Sequence, residues 1–263
     1  MLSFNQYVRA QSLEEAYTLY QKKSNVVIGG MLWLKMQRRS IGTAIDLCDL
    51  GLDQIEETEE EYRIGAMVSL RELETHTGLR VLTQGAMAES VRHIVGVQFR
   101  NVATVGGSIY GRFGFSDVLT LFEALDAKVE LYHAGVMSIR EFADFPRKTR
   151  DILVRIILPK TARKTVYLSM RNTETDFPVL TCALSELEGA YICAVGARPA
   201  KAAVYEDMEG ILAEGITEET AAAFAEYVAD RADFGSNLRG GAAYRERICK
   251  VLVRRAALAL REV

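Results

Sequence analysis

Two pairs of adjacent glycines, Gly29-Gly30 and Gly106-Gly107, stand where this sequence has the means to do chemistry. Each follows a short run suited to a strand, Val26-Val27-Ile28 in one case and Ala103-Thr104-Val105 in the other. Glycine lacks Cβ, so the chain can take positive φ there and a ligand can approach the backbone closely. Consecutive amides in such a turn can point at a phosphate oxygen, and a helix starting just beyond adds the positive end of its dipole. Two such turns can hold the two halves of one pyrophosphate. Neither matches the G-x-G-x-x-G dinucleotide pattern or a Walker loop.

Other chemistries find little support. The histidines His76, His93 and His133 are far apart and flank no nucleophile. Cys48, Cys182, Cys193 and Cys249 form no CxxC pair and have no histidine at ligand spacing, so no zinc or cluster site is expected on this chain. They read as buried free thiols in a reducing compartment. A net charge of −3 gives no reason to expect nucleic acid or an anionic membrane, and the tyrosines form no basic-aromatic pattern. The N-terminus lacks the basic start and apolar run of a signal peptide, and no stretch reaches the ~18 apolar residues of a membrane span. Cytoplasmic residence is the expectation.

The elements that must position the glycines fall into three blocks. In the first, Ser12 with Glu15 is a capping box for a short helix, Val26 to Ile28 and Thr43 to Leu47 are strands, and Leu32 to Arg39 is expected to be helical, with Trp33 as its core anchor or, less commonly, a ring to stack near a ligand. Asp53 to Glu61, with six acidic residues in nine, reads as a solvated turn. In the second, Tyr62 to Gly65 is a strand, Ser69 caps a helix, 80–92 is helical, Ser116 caps a helix to Leu125, Ala127 to Tyr132 is a strand, and so is Ile152 to Leu158, stopped by Pro159. In the third, Val179 to Leu187 and Ala190 to Val195 form a hairpin about Glu188-Gly189, with 199–205 as a further strand. Helix is expected beyond it. Residues 206–230 hold eight acidic side chains and no Lys or Arg, whereas 244–263 hold six basic and two acidic, so the two helices either pack together or present solvated faces. The polar run Lys160 to Lys164 marks a domain boundary.

Three ordered segments, IGGMLWLKMQRR, YRIGAMVSLREL and QFRNVATVGGSIYGRFGFSDVLTLFEALDAKVEL, resemble the FAD-binding medium subunits of the molybdenum hydroxylases, the xanthine and carbon monoxide dehydrogenases among them. The C-terminal Asp176-Phe177-Pro178 and GGAAYRERICKVLVRRAAL resemble the same family. The resemblance implies an α+β fold: a two-subdomain FAD-binding region of the molybdenum hydroxylase/vanillyl-alcohol-oxidase type over 1–162 (subdomains about 1–55 and 56–162), with flavin in the cleft between the subdomains. A C-terminal domain of small antiparallel sheet plus helical bundle would follow over 163–263. It implies an electron-transfer subunit that takes electrons from [2Fe-2S] clusters and passes them from FAD to an acceptor such as NAD. It implies an iron–sulfur small subunit and a molybdopterin large subunit as partners, in a dimer of heterotrimers. The protein's task is then to hold and tune the flavin, with no catalytic acid, base or nucleophile of its own.

Carried over residue by residue, the resemblance puts the first FAD loop on Val26, Val27, Ile28, Gly29, Gly30, Met31, Leu32 and Trp33, and the second on Thr104, Val105, Gly106, Gly107 and Ser108. Asp117 matches an acid that accepts from adenosine ribose hydroxyls; Ile94 and Leu153 match apolar positions against the flavin. Arg100 and Asn101 are expected to hold the loop. Met31 and Leu32 stand where the family has polar residues, and Ser169 where many members have Lys, with Arg171 the nearest cation. Two other readings are a flavin-free docking subunit of such a complex and a free-standing flavin reductase of the same fold.

Overall fold

The computed structural model describes all 263 residues. The elements begin β1 (Ser3–Arg9), α1 (Leu13–Tyr20), β2 (Val26–Ile28), a 3-10 turn at Leu34–Met36, β3 (Ser40–Asp46), β4 (Ile55–Glu57), β5 (Glu61–Gly65), α2 (Leu70–Thr75), α3 (Thr77–Leu82), α4 (Ala86–Arg92) and α5 (Val97–Arg100). They continue α6 (Val105–Tyr110), α7 (Asp117–Ala124), β6 (Lys128–Leu131), β7 (Gly135–Ser138), α8 (Ile139–Asp144), β8 (Leu153–Pro159), β9 (Lys164–Arg171), β10 (Pro178–Leu187), β11 (Ala190–Gly196), β12 (Ala203–Glu206), α9 (Glu218–Arg231) and α10 (Ala242–Leu260). The chain forms two compact units, each of three segments. One is Met1–Glu72, Val97–Gly111 and Ala127–Pro159; the other is Leu73–Gly96, Arg112–Asp126 and Lys160–Val263.

The first unit holds a parallel sheet, β1-β3-β2, and an antiparallel one, β4-β5-β8-β6-β7. Parallel neighbours need a crossover, and α1 lies between β1 and β2 in the chain. Ser12 Oγ accepts the Glu15 amide, while the Glu15 carboxylate accepts the amide of Gln11. Ala16, Ile45 and Leu47 form one core with Leu52, Ile152 and Val154, all nearly free of solvent contact. Strand β8 reads Leu-Val-Arg-Ile-Ile-Leu-Pro, the near-continuous apolar run of a strand with neighbours on both sides.

The second unit holds the antiparallel sheet β12-β11-β10-β9, with α10 packed on β9 and β10 and α9 packed against α10. The β10–β11 hairpin turns where expected, through Glu188 and Gly189, both at positive φ. Cys182, Cys193, Phe224, Val228, Cys249 and Val253 share its core. The opposite charges of the two helices do meet, in Arg254–Glu218 and Lys250–Glu226. Exposed pairs of this kind contribute about 0–1 kcal/mol each, so the apolar faces hold the helices. Arg245 is fully buried and donates to the carbonyls of Val179, Gly235 and Gly240 and to Asn237 Oδ1, which fixes the loop before α10.

Several local expectations are corrected. Leu32 to Arg39 makes only the 3-10 turn: Met31 enters it at φ 58°, Gln37 leaves it extended, and it buries no residue. Trp33 is exposed and sets its edge against Phe99, so it anchors no core. The helix over 80–92 breaks at Gln84 and Gly85, both at positive φ. The acidic 53–61 stretch contains β4, paired with β5. Only Glu218–Arg231 of the 206–230 stretch is helical; Asp207 earlier caps a turn by accepting the amides of Ile211 and Leu212. Of the four thiols three are buried and free, and Cys48 is exposed. No helix is long and apolar enough to cross a membrane.

Candidate functional site

The first glycine turn begins where β2 leaves the parallel sheet. A Cβ on Gly29 would lie 2.7 Å from Thr104 Oγ1, and one on Gly30 would lie 1.9 Å from the Val102 carbonyl oxygen. Glycine is therefore demanded here by close approach of the 102–104 segment, and the two glycine regions, distant in sequence, touch. The amides of Gly29, Gly30, Met31 and Leu32 donate to no acceptor of the chain. Gly29 is exposed and the other three are half-buried. Met31, at φ 58°, turns the chain in the left-handed region, and its carbonyl accepts the Lys35 amide, which closes the loop. Backbone donors rarely stay unpaired away from bulk water. Four in succession form a ready receptor for an anion.

The second turn is built differently. Ala103-Thr104-Val105 is not a strand: Thr104 is the N-cap of α6, and Gly106 and Gly107 lie inside the first turn of that helix. Thr104 Oγ1 accepts the Gly107 amide at 3.1 Å, as an N-cap hydroxyl should. The Val105 amide donates to Val68, that of Gly106 to Ala66 and that of Ser108 to Thr104. All four amides of the helix start are thus used inside the protein, and none is left in the outward-pointing arrangement expected from the sequence. The Ser108 hydroxyl donates to the Thr104 carbonyl. A Cβ on Gly106 would lie 2.7 Å from the Ala66 carbonyl oxygen, so this glycine answers to packing. Gly107 does not. It is exposed, and a Cβ there would meet only Thr104 Oγ1, at 3.1 Å. Bare backbone is what a ligand can lie against.

In the second unit, Ser116 Oγ caps α7 by accepting the Leu119 amide, and Asp117 occupies the first turn. Asp117 is buried. Its Oδ1 accepts from the Tyr167 hydroxyl at 2.5 Å and pairs with the Arg171 guanidinium. Burial pushes its pKa up to about 6, with Arg171 pulling the other way. No donor from another residue reaches its Oδ2. Tyr167, Ser169 and Arg171 alternate along β9 and so share one face of the sheet. Arg171 Nε donates to Ser169 Oγ at 3.3 Å and Nη1 to the Asp176 carbonyl at 2.6 Å. Arg171 is therefore held in place and is not a free cation standing in for the family's lysine.

The remaining candidates are apolar. Val26 and Val27 are half-buried in β2, while Ile28, Val105 and Leu153 are buried; Leu153 lies opposite Leu131. Ile94 is half-buried just beyond α4. Arg100 is buried at the end of α5. His76 Nδ1 accepts the Leu79 amide and the His133 ring stacks on Tyr17, so both are structural. Sequence reasoning missed Val102 and Ala66, whose carbonyls dictate glycine, and Tyr167 as the partner of Asp117. The period-2 alternation of Tyr167, Ser169 and Arg171 was the only available signal for that group.

Residues 2–161 match the family described as the FAD binding domain in molybdopterin dehydrogenase. An uncharacterized Escherichia coli K12 protein, YgfM, is 28% identical over 254 residues, covering 94% of this chain and 93% of its own. The glyceraldehyde dehydrogenase medium chain of Sulfolobus acidocaldarius is 23% identical over 270 residues, covering 95% of this chain and 96% of its own. A chain of the carbon monoxide dehydrogenase from Hydrogenophaga pseudoflava superposes with a TM-score of 0.86 at 22% identity, over 97% of each chain. That likeness is one of fold, and it extends through the C-terminal residues beyond the family match.

Proposed function

Because the chain belongs to the family of FAD binding domains in molybdopterin dehydrogenases, a group of oxidoreductases, we propose that it is the FAD-holding electron-transfer subunit of a multi-subunit molybdenum hydroxylase of the xanthine dehydrogenase kind. In this reading an iron–sulfur subunit delivers electrons from [2Fe-2S] clusters, a molybdopterin subunit oxidises the substrate, and NAD is the acceptor. The assembly is a dimer of heterotrimers in the cytoplasm, a setting that suits three buried reduced thiols.

The observation that carries the reading is the run of four unused amides, Gly29 to Leu32. Bound FAD would supply reversible one- and two-electron transfer. The chain's own residues hold it. The four amides donate to phosphate oxygens, and they do so through backbone, so the apolar side chains of Met31 and Leu32 remove no donor on which binding depends. Their half-buried side chains limit water beside the loop. Gly107 offers a surface without a side chain. Asp117, through Oδ2, is the acceptor for ribose hydroxyls.

Isothermal titration of FAD into the flavin-free chain tests this directly. The expected result is one FAD per chain with the visible absorption bands of oxidised flavin. A chain that neither binds FAD nor acquires those bands would be a docking subunit instead. Co-purification with a molybdopterin protein tests the partner assignment.

A further inference from the structure

The charges of α9 and α10 are not all used between the two helices. Arg254 pairs with Glu218 and Lys250 with Glu226, so the helices run antiparallel and their register is fixed. Glu219 and Asp230 on α9, and Arg247 and Arg255 on α10, are exposed and make no ion pair within the chain. On α9 the two acids belong to the row Glu219, Ala223, Glu226, Asp230. On α10 the two arginines belong to the row Tyr244, Arg247, Val251, Arg255. Steps of three and four residues keep each row on one side of its helix, opposite the core residues Phe224, Val228, Cys249 and Val253.

The charges in each row are of one sign, and the middle of each row is small or apolar. Ala223 is exposed, and Val251 keeps 40% of its surface open. Like charges also stand four apart within each helix, Glu226 with Asp230 and Lys250 with Arg254, which weakens the helix unless opposite charge lies beside it. By the register of the two ion pairs, Glu219 lies level with Arg255, Ala223 level with Val251, and Asp230 about one turn from Arg247. Within one copy the two rows lie side by side and do not face each other. A two-fold axis parallel to the helices, passing over them, sets α9 of one copy on α10 of the other and leaves every height along the axis unchanged. Opposite charges then meet at both ends of the rows. Setting α10 on α10 instead brings arginine against arginine, which is unfavourable.

We propose that the outer face of α9 and α10 is where two copies of this chain associate. Ala223 of one copy packs on Val251 of the second copy, with Glu219–Arg255 and Asp230–Arg247 pairs on either side, and symmetry makes each contact twice. Helices of 14 and 19 residues are ~21 and ~28 Å long and ~10 Å across, so the face offers roughly 400–500 Å² per copy. Roughly 800–1,000 Å² in all is the low end for a specific contact, so a reversible dimer is expected. The inference does not rest on the flavin role, because neither helix contributes to the glycine turns or to the group around Asp117.

Sedimentation velocity of the full chain tests it. The wild type is expected to pass from monomer to dimer between about 1 and 100 µM. Arg255→Glu places like charges together at two points and should weaken the dimer about tenfold or more, and Glu219→Arg should do the same. The double variant Arg255→Glu with Glu219→Arg restores opposite charges, and its dimer is expected to return to within about threefold of the wild type. Thermal melts followed by circular dichroism check that each variant is folded. A wild type that stays monomeric throughout overturns the proposal. So does a dimer that ignores the single reversals, or one that they weaken and the double variant does not restore. FAD titration into the same variants is expected to match the wild type. A chain that ignores FAD but dimerises and responds to charge as described upholds this interface while overturning the flavin role.

Discussion

The two glycine turns look alike as sequence and do opposite things as structure. After Ile28 the backbone leaves four consecutive amides, Gly29 to Leu32, without a partner in the chain. Around Gly106 and Gly107 every amide is taken, by Ala66, Val68 and Thr104. The glycines themselves also divide unexpectedly. Gly29, Gly30 and Gly106 are crowded by several protein atoms, whereas Gly107 is exposed and a Cβ there would meet only Thr104 Oγ1, at 3.1 Å. Identical dipeptides can thus mark a run of unused amides in one place and a tightly packed helix start in another. What separates them is whether a neighbouring carbonyl arrives to take the amide.

This contrast can be broken most severely at Gly30. A methyl there would collide with the Val102 carbonyl oxygen, 1.9 Å from the Cβ position. Gly30→Ala is expected to lower stability by roughly 3 kcal/mol in a denaturant titration, with loss of FAD binding. A comparable effect, but one that depends on pH, is expected in the second unit. Asp117 is raised from 3.8 to about 6 in the folded chain, so the folded state holds this proton more tightly than the unfolded chain does. Its contribution is complete below pH ~4 and is lost as pH rises towards ~6, by roughly 3 kcal/mol in all. Subtracting the stability–pH curve of Asp117→Asn from that of the wild type should leave a fall confined to this window; a flat difference would show that the group does not titrate there.

A smaller change sharpens the view of the second turn as a capped helix. Thr104→Val removes the acceptor of the Gly107 amide and should cost about 1 kcal/mol of stability. The smallest stability effect and the most telling comparison belong to Gly107. Gly107→Ala should leave stability within about 1 kcal/mol, because the added methyl meets only the Thr104 hydroxyl, at 3.1 Å, and alanine favours the helix. Its FAD affinity should nonetheless fall about tenfold, or 1.4 kcal/mol, as the methyl fills the space left for the ligand. Unchanged affinity would assign the phosphate role to the first turn alone.

Much of this molecule was legible from residue types. The β10–β11 hairpin follows from Glu188-Gly189 between two apolar runs, and the α7 start from Ser116 before an apolar periodicity. The glycine pairs were found because close backbone approach has few other sequence signatures. The failures were equally physical. Leu32 to Arg39 has helix-forming residues, yet Met31 in the left-handed region and the lack of any buried face leave a single 3-10 turn. Trp33 looked like a core anchor because tryptophan usually is one, but the loop carries it out to an edge contact with Phe99. The bond between Asp117 and Tyr167 joins residues with no pattern relating them.

The sequence by itself determined where the backbone could turn sharply, which segments alternate or cap, and which family the order of segments resembles. Those properties are local, or they depend on the order of motifs, and need no knowledge of neighbours in space. Only the tertiary structure decided which glycine turn keeps its amides free. That outcome depends on carbonyls of Ala66 and Val68, brought to α6 from another part of the chain and absent from the Gly29-Gly30 turn. A hydrogen-bond donor has the same covalent form whether satisfied or not, and its availability to a phosphate is a property of what lies within about 3 Å of it.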